Sequence, residues 1–347
     1  MRPRDTSQTR TLPFGSDEAL RRRFMLIDDP VSGNLRWGLL LEELDKLAED
    51  VALAYARRTR EDAAVVTAAI DDIMLRTPAD IGRDLHLRAR INYVGTSSME
   101  VGIRVDQEGE EGRSLASCYF TMVARSGRGR EAGSLAVEPL SYESDLEMKR
   151  RDNAVWRRKA YRRRMEEMEE PPDRDEYNHL REVHQAQERD DFDGLLASDL
   201  VRSNWERMYP EQENVPEKIF GGYVIRRAFE LAMMHAEEIA PDRPVFVRVN
   251  RINFLQPVHI GDKLDFTSRI VYTGETSISM EIDIERISKN QVTRALSNTC
   301  EFTFVNVDRQ MRPRPVPRVY PTTYDEDRRY LKARRQHRRR KKSSDSP

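Results

Sequence analysis

An internal repeat constrains this chain more than any other feature. Residues 73–103 match residues 252–282 position for position, at a constant offset of 179 in the numbering, and eleven of the 31 pairs are identical. The identities include Pro78 with Pro257, Gly82 with Gly261, Arg90 with Arg269, Tyr93 with Tyr272, Gly95 with Gly274 and Ser98 with Ser277. Ordinary composition gives roughly two matches by chance. A second block matches at an offset of 182, bringing Cys118 onto Cys300 and Phe120-Thr121 onto Phe302-Thr303. This increase of three in the offset predicts a longer hairpin in the second copy. A unit this long is no solenoid repeat, so the chain holds two homologous domains. A length of 347 residues agrees with two domains.

Each copy has the same order of elements. A helix comes first, near Leu35 with Leu40, Leu44, Leu47 and Val51 on one stripe, and again from Gly221-Gly222 with Val224, Ala228, Leu231 and His235. Runs rich in β-branched and aromatic residues follow, broken by Gly-Asp and Gly-Glu turns. One long helix followed by several antiparallel strands predicts an α+β fold, with the sheet wrapping the helix. The domains are placed at 15–142 and 199–325. Between them, 143–198 reads as a charged helical insert and linker, since 27 of the 49 residues in 143–191 are charged. Its arginines, Arg157, Arg158 and Arg162–Arg164, form a solvated face or meet a phosphate-bearing ligand.

The charge balance is uneven. The net charge is −1, yet the segment 326–347 carries ten Lys/Arg against three Asp/Glu, a net of +7, so the segment 1–325 carries −8. A generally basic nucleic-acid binder is excluded; only the tail has that character. The tail is expected to be disordered and dispensable for catalysis, either merely solvating or binding nucleic acid, anionic lipid or an import receptor. The two cysteines form neither a metal-site spacing nor a disulfide framework. No stretch approaches 18 apolar residues, so no membrane span is expected. Residues 1–13 contain three Arg, several Ser/Thr and one acid, Asp5, which is a leader-like composition or a polar terminus.

The second copy, with IFGGYVIRRAFELA, NRINFLQPVHIGDKLDF and YTGETSISMEIDIER, resembles the hotdog-fold acyl-coenzyme A thioesterases. The first copy, with RWGLLLEELDKLA, VTAAIDDI and YVGTSSMEV, resembles the first hotdog of the acyl-coenzyme A thioesterase 9 type, a mitochondrial family. The resemblance implies two hotdog domains packed as an intramolecular pseudo-dimer. It implies hydrolysis of fatty acyl-CoA to free acid and CoA, with no metal or redox cofactor, in mitochondria or alternatively the cytoplasm. It further implies a homo-oligomer of two-hotdog chains. The rival reading is an acyl-CoA binder without catalysis. A dehydratase on the same fold is disfavoured, because no His lies at either helix start.

The chemistry implied needs backbone N–H groups at a helix N-terminus to polarise the thioester carbonyl, and a carboxylate to work on water. Gly221 and Gly222 are the candidates for the first role; the alternative is that they allow tight helix–strand packing. Trp37 replaces the first Gly in the other copy, ahead of Gly38. For the carboxylate, the resemblance points to Asp45, seven positions after Gly38, where the second copy has Phe229 with Glu230 beside it. Asp45 borders the apolar stripe, where desolvation raises a carboxyl pKa; otherwise it is a solvent-facing acid with a cationic partner. Asn34 holds water or a carbonyl, or caps the helix. The favoured site joins Asp45 to Gly221, Gly222 and Lys218, leaving Asn34 and Glu230 to the other half. Lys218, Arg90, Arg269, Ser98 and Ser277 are the candidate contacts to CoA. For the last four, ordinary sheet surface and turn capping is the alternative.

Overall fold

In the computed structural model, two buried helices lie side by side, each wrapped by its own half of one continuous sheet. The structure describes all residues except 30, 72, 110–113, 128–131, 169, 216–217, 220, 251, 291–292 and 345–347. The side chains of 162, 164–165, 167–168, 212–215, 218–219 and 340–344 also lie outside the described residues.

The first half contains β1 (Gln8–Leu12), α1 (Glu18–Phe24), α2 (Trp37–Ala56), β2 (Ala64–Ile70), β3 (Ile73–Leu75), β4 (Leu85–Val94), β5 (Ser98–Gln107) and β6 (Ser114–Arg125). Two polar helices follow, α3 (Asp145–Met168) and α4 (Arg174–Gln187). The second half contains β7 (Val201–Arg207), α5 (Gly221–Glu237), β8 (Arg243–Val249), β9 (Ile252–Asn253), β10 (Lys263–Thr273), β11 (Ser277–Ile287), β12 (Arg294–Val307) and α6 (Tyr324–Ser344). The sheet runs β1-β4-β5-β6-β3-β8-β12-β11-β10-β7, with β2 also on β6 and β9 on β2. The halves join through antiparallel pairs, Val249 with Ile73 and Ile252 with Ile70. This is the α+β double hotdog, paired within one chain.

α2 forms because Leu, Glu, Lys and Ala dominate it and no β-branched residue interrupts the run before Val51. Leu40, Leu41, Leu44 and Ala48 are buried against the first half-sheet. α5 buries Val224, Ala228 and Ala232 in the same way. Salt bridges stitch the two helices, Arg226 to Glu42 at 2.9 Å and Arg36 to Glu230 at 2.5 Å.

The second hairpin is longer, as the change of offset predicts, and the added positions lie in its strands: β11 and β12 are 11 and 14 residues long against 10 and 12 for β5 and β6. The expectation for the tail needs correction. The basic tail is not disordered, because it forms α6 as far as Ser344. Tyr330 and Leu331 are buried with Val183 of α4. Lys332 pairs with Glu301 at 2.5 Å, Arg329 pairs with Glu281, and Arg335 pairs with Glu176 at 2.6 Å. Within residues 1–13, Gln8–Leu12 form β1 on β4, and Leu12 is buried.

The repeat also reaches further than the matched strands. Glu147 accepts the N–H groups of Glu143 and Ser144, while its own N–H donates to the Ser144 hydroxyl. Glu326 does the same with Thr322 and Thr323, and all three positions follow from the first set by the repeat offset. Arg158 lies over Gly95 and His337 over Gly274, again related by that offset. α3 and α6 are therefore one element in two copies, each strapping the outer face of its own half-sheet.

Candidate active site

Asp45 is fully buried one turn past Leu41 on α2, and it points at the start of α5. Its Oδ2 accepts the Gly222 N–H at 2.8 Å. Its Oδ1 accepts the Thr67 hydroxyl at 2.7 Å. Burial pushes the carboxyl up to about 6; the bonds from Thr67 and Gly222 pull the other way. The first turn of a helix carries N–H groups without intrahelical acceptors and the positive end of the helix dipole. A desolvated carboxylate therefore sits against donors supplied by the other half of the chain.

Thr67 was not among the residues singled out from the sequence. It stands on β2 beside a bulge between Thr67 and Ala69, and a bulge re-aims neighbouring side chains. The signal available was a single hydroxyl in the otherwise apolar run AVVTAAI. Gly221 is needed for close approach, because a Cβ there would lie 2.9 Å from the Phe254 ring and 3.6 Å from Asp45 Oδ2. Asp45, Gly221 and Gly222 thus meet. The Lys218 side chain lies outside the described residues.

The pseudo-symmetric place is built differently. Phe229 stands where Asp45 stands, and Phe246 is the repeat counterpart of Thr67. Their rings meet edge to face at 5.1 Å, and Trp37, at the start of α2, packs on Phe246 at 5.5 Å. Phe302 and Phe304 complete the cluster. An acid, a hydroxyl and a Gly have become three aromatic rings, and the space is filled.

The other expected residues are placed elsewhere. The Asn34 side chain accepts the N–H groups of Leu26 and Ile27 and donates to the carbonyls of Ile27 and Asp29. All four of its hydrogen-bonding positions are used in tying down that loop. It is neither a helix cap nor an available water ligand, for Arg36 occupies the cap position of α2. Glu230 pairs with Arg36 at 2.5 Å and Arg227 at 2.7 Å on the helix surface. Arg90 alternates with buried Ala89 and Ile91, so it lies on the outer face of β4, under α3. Arg269 lies on the outer face of β10 and pairs with Asp283 at 2.9 Å. Ser98 and Ser277 close the turns over Gly95 and Gly274 on that same side. These four are on the far face of the sheet from Asp45, because alternate residues of a strand point to opposite faces. Among the described residues no group of three His, Cys, Asp or Glu side chains could hold a metal ion, and no helix is long and apolar enough to cross a membrane.

The thioesterase superfamily model matches residues 46–113 and 218–293, one segment in each half. The chain is 30% identical to acyl-coenzyme A thioesterase 2, chloroplastic, of Humulus lupulus, over 94% of this chain and 79% of that protein. It is 28% identical to the human acyl-coenzyme A thioesterase 9, mitochondrial, over 93% of this chain and 75% of that protein. Among solved structures, an acyl-CoA hydrolase from Staphylococcus aureus matches 43% of this chain and 93% of its own, at 25% identity and a TM-score of 0.39.

Proposed function

The chain belongs to the acyl-coenzyme A thioesterases of the hotdog superfamily, and on that premise we propose that it hydrolyses acyl-CoA at Asp45. The observation that carries this reading is the desolvated carboxylate held between Thr67 and the first turn of α5. The thioester carbonyl docks against the N-terminus of α5, where backbone N–H groups and the dipole stabilise the oxyanion. Asp45 takes a proton from water as the water oxygen attacks the carbonyl carbon. The C–S bond then breaks, and the proton held by Asp45 passes to the departing thiolate. The net reaction is thioester plus water to carboxylic acid and CoA thiol.

A carboxyl titrating near 6 is ionised at neutral pH yet basic enough to accept a proton, which an exposed Asp is less able to do. Mitochondrial residence is supported by the name of the human relative; the hop relative is named for the chloroplast. Release of free thiol from acyl-CoA by the purified chain tests the reaction. Binding without release would return the chain to the non-catalytic reading.

A further inference from the structure

We propose that β7 is a self-recognition edge, through which two copies of this chain pair strand to strand. β7 ends the sheet; among the described residues it pairs only with β10. Six of its seven residues are exposed, and Val201 and Trp205 are 37% and 55% exposed. Backbone groups in a strand alternate sides. Met208 donates to Asp262 and accepts from Gly261, and Leu200 accepts from Ile270, so even-numbered residues face β10. No register shift interrupts the pairing. The N–H and C=O groups of Ser203, Trp205 and Arg207 therefore point outward, with the Val201 N–H. The Val201 carbonyl already accepts the Arg202 guanidinium.

The side chains select what can fill that edge. Reversing VRSNWER about Asn204 sets Arg202 opposite Glu206 of a second copy, and Glu206 opposite its Arg202. Opposite charges directly across an antiparallel pair stabilise it. Within the chain Arg202 already meets Glu238 and Glu206 meets Arg227, so the second copy extends an existing charge network. On the other face Trp205 falls opposite Ser203 and diagonal to the second Trp205, within reach of an aromatic ring. The far edge of the sheet lacks this property. The same reversal of β1 about its centre sets Arg10 opposite Arg10, a like-charge pair. The occupant of β7 is thus a second β7, antiparallel, with the two-fold axis at Asn204. Ser203 and Trp205 exchange four hydrogen bonds across that axis.

At the axis the two Asn204 residues form a non-hydrogen-bonded pair, whose Cα atoms approach to about 4.5 Å. That separation is within disulfide range. The native cysteines, Cys118 and Cys300, are buried, so Asn204→Cys introduces the one exposed thiol among the described residues. Mild oxidation of full-length Asn204→Cys should give a covalent dimer in high yield. Adding Ser203→Pro removes an outward N–H without touching the β10 ladder, and should cut crosslinking at least tenfold. Trp205→Lys, which leaves the backbone alone, should do the same, with far-ultraviolet circular dichroism unchanged. The proposal is overturned if Asn204→Cys stays uncrosslinked, or if it crosslinks equally well with Ser203→Pro or Trp205→Lys present.

Discussion

At the scale of single residues, burial of Asp45 raises its pKa from 3.8 to about 6. Between those values the folded chain holds a proton that the unfolded chain releases, so this group's contribution to stability falls as pH rises through the window. Above it, the charged carboxylate costs about 2–3 kcal/mol. Asp45→Asn should therefore melt no lower than wild type at pH 7 and show its gain shrinking to nothing below pH 4, measured by thermal scans across pH. His235 works in the opposite sense. Buried and held neutral with a pKa near 4, it makes stability rise with pH between about 4 and its unfolded value of 6.5. Thr67→Val removes a bond to the ionised form of Asp45, so the acid limb of the pH–rate profile should move above 6. An unmoved limb would show that Thr67 does not tune the base. Asp45 was legible because the family resemblance points to its position and because it borders the apolar stripe of α2; its burial was one of two readings that this border allowed. Thr67 was not, since the run around it is apolar on both strand faces and the bulge that aims it leaves no mark in composition. Asn34 misled because an Asn buried in a loop has the same neighbours in sequence as one at a helix start.

At the scale of elements, α3 and α6 change what the charged segments mean. Their charge runs read as solvent-facing, yet a few apolar positions and paired acids seat each helix on a sheet. Tyr330 and Leu331 are the apolar anchors of α6, and burying each contributes about 1.5–3 kcal/mol. Truncation after Asp325 should accordingly lower unfolding stability by roughly 3–6 kcal/mol in a urea titration. A truncated chain as stable as the full one would mean that α6 is only docked loosely. The helix escaped a reading based on overall charge because a few buried residues among many cations barely alter composition. The capping boxes at Ser144–Glu147 and Thr323–Glu326 were the local signal. Strand β1 was hidden for a different reason: a short polar edge strand has no alternation of its own and is defined by the strand it joins.

At the scale of the whole molecule, duplication supplies two pseudo-equivalent places and the chain equips one. Both halves contribute to it, Asp45 and Thr67 from the first and the start of α5 from the second. The repeat made this architecture readable, because matched residues must occupy matched positions in two packed copies. Which place acts was harder to read, since it depends on which residues meet across the pair. The aromatic filling of the other place makes it a packing element. Phe229→Ala should cost about 3–5 kcal/mol in stability, while the rate per folded molecule stays within a few-fold of wild type. The most direct test of the account is thiol release from acyl-CoA by wild type and Asp45→Asn at pH 7, both confirmed folded. The account predicts robust release by wild type, rising with pH through about 6, and a kcat lower by about 10²–10⁴-fold in Asp45→Asn. Equal release by the two proteins would contradict it.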